Sequence, residues 1–207
     1  MKIFGIGDIH AQMTYYEDLC SRIHSEHENA MTIQVGDLGL GFKGAKVPQV
    51  SDNDFWIYGN HDDSLIHDLC RPNYLGDFGT KEVDGLRIFF FSGAESVDKS
   101  SRIDGETWWK HEEMTYGQIC EAIALYEEYK PDMVISHDGP IPIRDALFGE
   151  FDIYRKPISK TTQALQIMWS THKPEIWALG HFHKDMTKKI DGCRFEVLGE
   201  CEYRLLW

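Results

Sequence analysis

The sequence predicts an α/β chain in which two packed sheets carry helices on their outer faces. Three observations predict it. Early apolar strands each hand over to a polar loop, the first of them followed by a helix; two Asp-Gly dipeptides further along mark hairpins; and five short motifs bearing Asp, Asn or His each follow a strand. A chain of β–α steps alone would make a doubly wound sheet, so the added hairpins point to layered sheets instead. Ligands then gather where loops leave the strand C-termini.

Lys2–Gly7 is mostly apolar, as a strand buried on both faces should be, and leads into Asp8 and His10. Thr14–Glu28 carries Tyr16, Leu19, Cys20 and Ile23 at helical spacing. Met31–Val35 and Asp54–Tyr58 read as strands before Gly36-Asp37 and Gly59-Asn60-His61-Asp62, and the Gly-rich stretch Leu38–Asn53 between them, with Pro48, reads as a loop over the site. Lys81–Val83 and Leu86–Phe91 flank Asp84-Gly85, a pair that supplies the positive φ angles of a two-residue turn. Thr115–Lys130 places Ile119, Ala122, Ile123 and Tyr126 on one helical face and stops before Pro131. Met133–Ile135 precedes Ser136-His137-Asp138, Ile176–Leu179 precedes Gly180-His181-Phe182-His183, and Asp191-Gly192 joins Met186–Ile190 to Arg194–Leu198. With no internal repeat or low-complexity linker, residues 1–207 are expected to form one domain.

Hydrophobic residues make up 42% and charged residues 27%, the composition of a soluble globular protein. The N-terminal apolar stretch is broken at Asp8, too early for a signal peptide, and no run approaches the roughly 18 apolar residues of a membrane span. A cytoplasmic protein without a membrane partner is expected. Cys20, Cys70, Cys120, Cys193 and Cys201 lie far apart with no C-x-x-C pair, which argues against a disulfide framework and a thiolate zinc site. The net charge of −13 opposes long polyanions, so general binding of duplex nucleic acid is disfavoured. Nothing in the sequence fixes the oligomeric state.

Oxygen and imidazole donors without thiolates suit divalent manganese, iron, zinc, nickel or cobalt. An Asp between two such ions can bridge them, about 3.5–4 Å apart, and a bridging hydroxide is then the nucleophile for an in-line displacement at phosphorus.

The ordered set D-x-H, G-D, G-N-H-D, a lone His and G-H-x-H, spanning positions 8 to 183, resembles the calcineurin-like metallophosphoesterase superfamily. The resemblance implies a four-layer α/β/β/α sandwich with two mixed β-sheets flanked by helices. It places Asp8, His10 and His183 on one metal, Asn60, His137 and His181 on the other, and Asp37 between them. His61 matches the family residue that contacts the phosphoryl group and protonates the leaving oxygen, and Asp62 is expected to orient and charge-stabilise that imidazole. The chain departs from the family in lacking the second Asp of G-D-x-x-D, and from its protein phosphatases in lacking the Arg that follows there.

The stretch Ser92–Arg102, with Trp108-Trp109 and Glu112-Glu113, looks like a segment of small bacterial and phage members. Arg102 and Lys99 are candidates for binding a phosphoryl oxygen, against the alternative of a solvated surface pair. Trp108 and Trp109 either pack or wall a substrate, and Asp138 is either a partner of a ligand imidazole or an exposed loop carboxylate. Arg144 and Arg155 read as surface charges. The expected function is metal-dependent hydrolysis of a small or nucleotide-derived phosphoester, by a phosphodiesterase or phosphatase. Alternatives are a phosphoprotein phosphatase, which the missing Arg disfavours, a nuclease, which the acidity disfavours, and a non-catalytic scaffold, which the complete ligand set disfavours.

Overall fold

The computed structural model describes residues 1–42, 45–67, 73–149 and 158–207; Cys70, Arg155 and two residues of the 38–53 loop lie outside the described residues. In chain order the first elements are β1 (Lys2–Ile6), α1 (Met13–Glu26), β2 (Ala30–Gln34), β3 (Asp54–Trp56), α2 (Ser64–His67), β4 (Phe78–Val83) and β5 (Leu86–Phe91). They are followed by α3 (Tyr116–Tyr129), β6 (Met133–Ser136), α4 (Ile141–Phe148), α5 (Lys160–Thr171), β7 (Ile176–Leu179), β8 (Met186–Ile190), β9 (Cys193–Val197) and β10 (Tyr203–Leu205).

Two mixed sheets result. One has the order β10-β1-β2-β3, the other β4-β5-β6-β7-β9-β8. β1, β2 and β3 are parallel, as are β5, β6, β7 and β9, while β10, β4 and β8 are antiparallel edges.

Both faces of the parallel strands are apolar, so alternate residues serve two different layers. Ile3, Ile33 and Phe55 of the first sheet meet Ile88, Phe90, Ile135 and Ala178 of the second. On the outer side of the first sheet, Phe4, Ile6 and Trp56 pack on Tyr16, Leu19 and Ile23 of α1. On the outer side of the second, Phe89, Phe91, Val134 and Trp177 pack on Ile119, Ala122 and Tyr126 of α3 and Leu165, Met168 and Trp169 of α5. At about 1.5–3 kcal/mol for each large side chain removed from water, these contacts hold the layers in register. The order is helix, sheet, sheet, helix.

Local chemistry sets the boundaries. Asp84 and Gly85, at φ 50° and 83°, make the two-residue turn that puts Val83 opposite Leu86. Asp191 and Gly192 do the same, and β9 begins one residue earlier than the sequence suggests because Cys193 already pairs with Ile190. Thr115 and Gln118 form a capping box at the start of α3, and Lys130 closes it in a left-handed conformation just before Pro131. α1 stops at Glu26, two residues early, where His27 turns to extended backbone. α2, α4, α5 and β10 are not among the elements expected from the sequence. α5 is started by Ser159, which accepts the N–H of Thr162.

Because β1, β2 and β3 share one direction within their sheet, the loops carrying Asp8, Asp37 and Asn60 leave the same edge. Those carrying His137 and His181 likewise leave one edge of the other sheet. A hydrogen bond from Gly180 N to His137 O ties the second pair together, and one from His137 Nδ1 to Val35 O joins the two sets.

Candidate metal centre

Backbone bonds build the site before any side chain enters it. Ile9 and His10 both donate to Asp37 O at 2.9 Å, and Ala11 donates to Leu38 O, so the D-x-H turn is pinned on the G-D turn. Buried Gln34 accepts from Gly36 N and donates to Gly7 O and Gly36 O, bracing the ends of both strands. His10, Asp37, His181 and His183 all take left-handed backbone, with φ of 47°, 55°, 67° and 50°. Each such residue costs on the order of 1 kcal/mol, a strain that concentrates at functional sites. Two motif glycines are required by close approach: a Cβ on Gly59 would collide with Asp37 Oδ1 and stand 2.6 Å from His137 Nε2, and one on Gly180 would collide with Asp8 Oδ1.

Asp8, His10, Asp37 and His183 present donor atoms that all lie within 4.8 Å of one another. His10 Nε2 and His183 Nε2 are 3.1 Å apart, and His183 Nε2 is 3.4 Å from Asp8 Oδ2. Asp8 is fully buried and accepts the backbone N–H of His181; burial pushes its carboxyl up. Glu200 accepts from His183 Nδ1 at 2.8 Å, which leaves Nε2 with its lone pair toward the cluster. No motif marks Glu200, and sequence reasoning missed it.

A second set of donors meets the other side of Asp37. His137 Nδ1 donates to Val35 O at 2.9 Å, so Nε2 faces Asp37 Oδ1 and Asn60 Oδ1, each at 3.2 Å. A neutral imidazole there would aim a lone pair at two acceptor oxygens, an arrangement that only a proton or a cation resolves. Burial works against the protonated ring, but Asp37 and Asp8 outweigh it and push the His137 pKa up to about 10. Against its own burial, Asp37 is held far below the usual carboxylate range by the imidazoles of His137, His61 and His10. His181 meets the His137 ring edge-on at 5.1 Å, and burial lowers its pKa to about 4, the neutral form a ligand needs. The donor set fits divalent cations.

The family model for calcineurin-like phosphoesterases matches residues 1–185. The chain belongs to this family. With the clustered donors, membership makes it a metal-dependent phosphoesterase. A comparison with curated protein sequences finds no match. Among solved structures, the phosphopantetheinyl hydrolase of Mycobacterium tuberculosis is similar at 17% identity and a TM-score of 0.57, covering 96% of this chain and 89% of its own. A Staphylococcus aureus protein provisionally assigned as a 5′-nucleotidase gives 12% and 0.52, and the 5′-nucleotidase of Candida albicans 13% and 0.51, each covering 96% of this chain. This chain spans about half the length of those two, 48% and 45%. At such identities the likeness is one of fold.

Around the phosphoesterase centre, the remaining candidates have distinct partners. His61 Nε2 lies 4.0 Å from Asp37 Oδ2, and Arg102 reaches His61 at 2.7 Å on Nε2 and 3.3 Å on Nδ1. Asp98 holds Arg102 from behind at 2.7 Å. Lys99, on the same turn, bonds Glu95 at the exposed surface. Trp109 is buried, and Phe42 bridges it to His61 with ring centroids 6.3 and 5.8 Å apart.

Two expectations need correction. Asp62 does not brace the His61 imidazole: its buried carboxylate accepts the N–H groups of Gly59, Leu38, Gly39 and Leu40, tying the G-N-H-D turn to the G-D loop. The start of the 38–53 loop is therefore packed, with Leu38 and Leu40 in the core. Arg144 is not a free surface charge: it pairs with Asp138 at 2.9 Å. Asp138 is buried, not exposed, and also accepts from Thr162 and Gly139. No described helix is long and apolar enough to cross a membrane.

Proposed function

We propose that the chain hydrolyses small or nucleotide-derived phosphoesters at a binuclear centre of two divalent ions, of the manganese, iron, zinc, nickel or cobalt type. The observation that carries this reading is the position of Asp37. One of its oxygens lies 4.0 Å from His10 Nε2 and the other 3.2 Å from His137 Nε2, so a single carboxylate serves two donor sets. Asp8, His10 and His183 would hold one ion, and Asn60, His137 and His181 the other. Bound ions of this kind generate a nucleophile from water at neutral pH and draw charge off the phosphoryl oxygens.

The chain's own groups supply the rest. Arg102 donates toward His61 in the resting site; an arriving phosphoryl oxygen takes those N–H bonds and frees His61 Nε2 to carry a proton to the leaving oxygen. Phe42, beside His61, offers a flat apolar flank to an aromatic or nucleobase leaving group. Elemental analysis after reconstitution with Mn²⁺ should find two equivalents per chain, and Asp37→Ala should lose both together with hydrolysis of bis(p-nitrophenyl) phosphate. One equivalent in the fully active wild-type protein would reverse the binuclear assignment.

A further inference from the structure

Asn60 poses a problem that its motif does not solve. A side-chain amide has an acceptor oxygen on one side and a donor nitrogen on the other, and only the oxygen can ligate a cation. Something must prevent the amide from turning over. In this chain Asn60 Oδ1 faces His137 Nε2 while Asn60 Nδ2 donates to Ser96 Oγ at 3.1 Å. Ser96 is 2% exposed, so no bulk water competes for that role.

A hydroxyl accepts only if its own proton points elsewhere. Glu112, 4% exposed, lies on the same arm, and burial pushes its carboxyl up. Neither Glu112 Oε2 nor Trp108 Nε1 has a hydrogen-bond partner among the described residues. Burying a carboxyl under such incomplete pairing costs free energy that a packed apolar residue would avoid. The backbone registers this arm on the metal loop: Gly93 N donates to Tyr58 O at 2.8 Å and Ala94 N to Glu112 O at 3.1 Å. Glu113 anchors its far end by accepting from Thr161 N at the start of α5.

We infer that Ser96 is a positioning residue for Asn60, its buried hydroxyl oxygen accepting from the amide nitrogen so that the amide cannot turn over. Donation from Asn60 Nδ2 to Ser96 Oγ fixes Oδ1 toward the cation. The inference rests on the reading of Asn60 as a metal ligand. It also gives the Ser92–Glu113 arm a role at the centre separate from the Arg102 contact.

Calorimetric titration of the metal-free protein with Mn²⁺ alone tests it. Asn60→Ala identifies which of two binding steps uses Asn60. Ser96→Ala should weaken that same step about 10–100-fold and leave the other unchanged, the usual cost of losing a partner behind a ligand. Ser96→Thr, which keeps the oxygen, should restore most of the loss. Affinities within twofold of wild type in Ser96→Ala would overturn the inference while leaving the binuclear centre standing. Equal weakening of both steps, or a lowered melting temperature of the metal-free variant, would assign Ser96 to the fold instead. An Asn60→Ala protein that binds both ions as wild type does would remove Asn60 as a ligand and the inference with it.

Discussion

His61 follows the proposed ligand Asn60 directly, yet its ring is met by Arg102, while its backbone N–H donates to the Asp37 carboxylate at 2.8 Å. That backbone bond survives truncation, so His61→Ala should retain both ions by elemental analysis. If the imidazole protonates the leaving oxygen, kcat should fall roughly 10²–10⁴-fold for an alkoxide leaving group and far less for nitrophenolate, which needs no proton. Equal losses for both substrates would assign the ring to phosphoryl binding. Burial lowers the His61 pKa, and Arg102 lowers it further although Asp37 opposes. The motif residues were legible because each sits beside a strand end at a fixed offset. Glu200 was not: it meets His183 only because the turn after β9 folds back over the G-H-x-H loop. The partners of Asp62 were equally hidden, being backbone N–H groups of Leu38–Leu40 rather than side chains with a chemical signature.

At the scale of elements, Asp138 links three of them. It follows the strand that presents His137 and is bonded by Arg144 from α4 and Thr162 from α5. Burial alone would raise its pKa, but Arg144, His181 and the hydrogen bonds from Thr162 and Gly139 outweigh it and leave the carboxyl below its ordinary value. A carboxyl depressed in the folded state stabilises the fold above its unfolded pKa, near 3.9, and loses that contribution as pH falls through the folded value. Arg144→Ala should therefore cost on the order of 2 kcal/mol in urea unfolding at pH 7, with the gap to wild type shrinking below about pH 4. A gap that stayed constant from pH 7 to pH 3 would show that Arg144 acts through packing on Phe182, over whose ring it sits at 5.4 Å. Elements with strong punctuation were readable in advance: the two Asp-Gly hairpins, and α3 between its Thr115 cap and Pro131. α5 opens with the polar Lys160-Thr161-Thr162-Gln163, which masks the helical spacing of Ala164, Leu165, Met168 and Trp169 behind it, and β10 is the three-residue Tyr203-Arg204-Leu205, too short to show a period.

Across the whole molecule, the metal loops are clamped by segments beyond the family match at residues 1–185. Cys201 N donates to Asp8 O, Gly7 N donates to Glu202 O, and β10 then pairs with β1. Arg204 reaches from β10 to Glu196 and Asp185 of the other sheet's side, and Arg194 donates to Leu206 O, so the C-terminal strand stitches the two sheets together behind the site. The centre enclosed this way works against the fold when no cation is bound. Asp8 and Asp37 are both buried within one cluster, and His10, Asp37, His181 and His183 hold strained backbone around them. A cation at 100 times its Kd adds about 2.7 kcal/mol to the stability of the folded state. At roughly 2–4 °C per kcal/mol for a chain of this size, stripping the metal with a chelator should lower Tm by about 5–10 °C, and Mn²⁺ should restore it. Asp37→Ala, which removes the bridge, should show no chelator-dependent shift. A wild-type Tm indifferent to chelation, or an Asp37→Ala protein still stabilised by Mn²⁺ to the same degree, would mean that the fold does not depend on the charge balance at its centre.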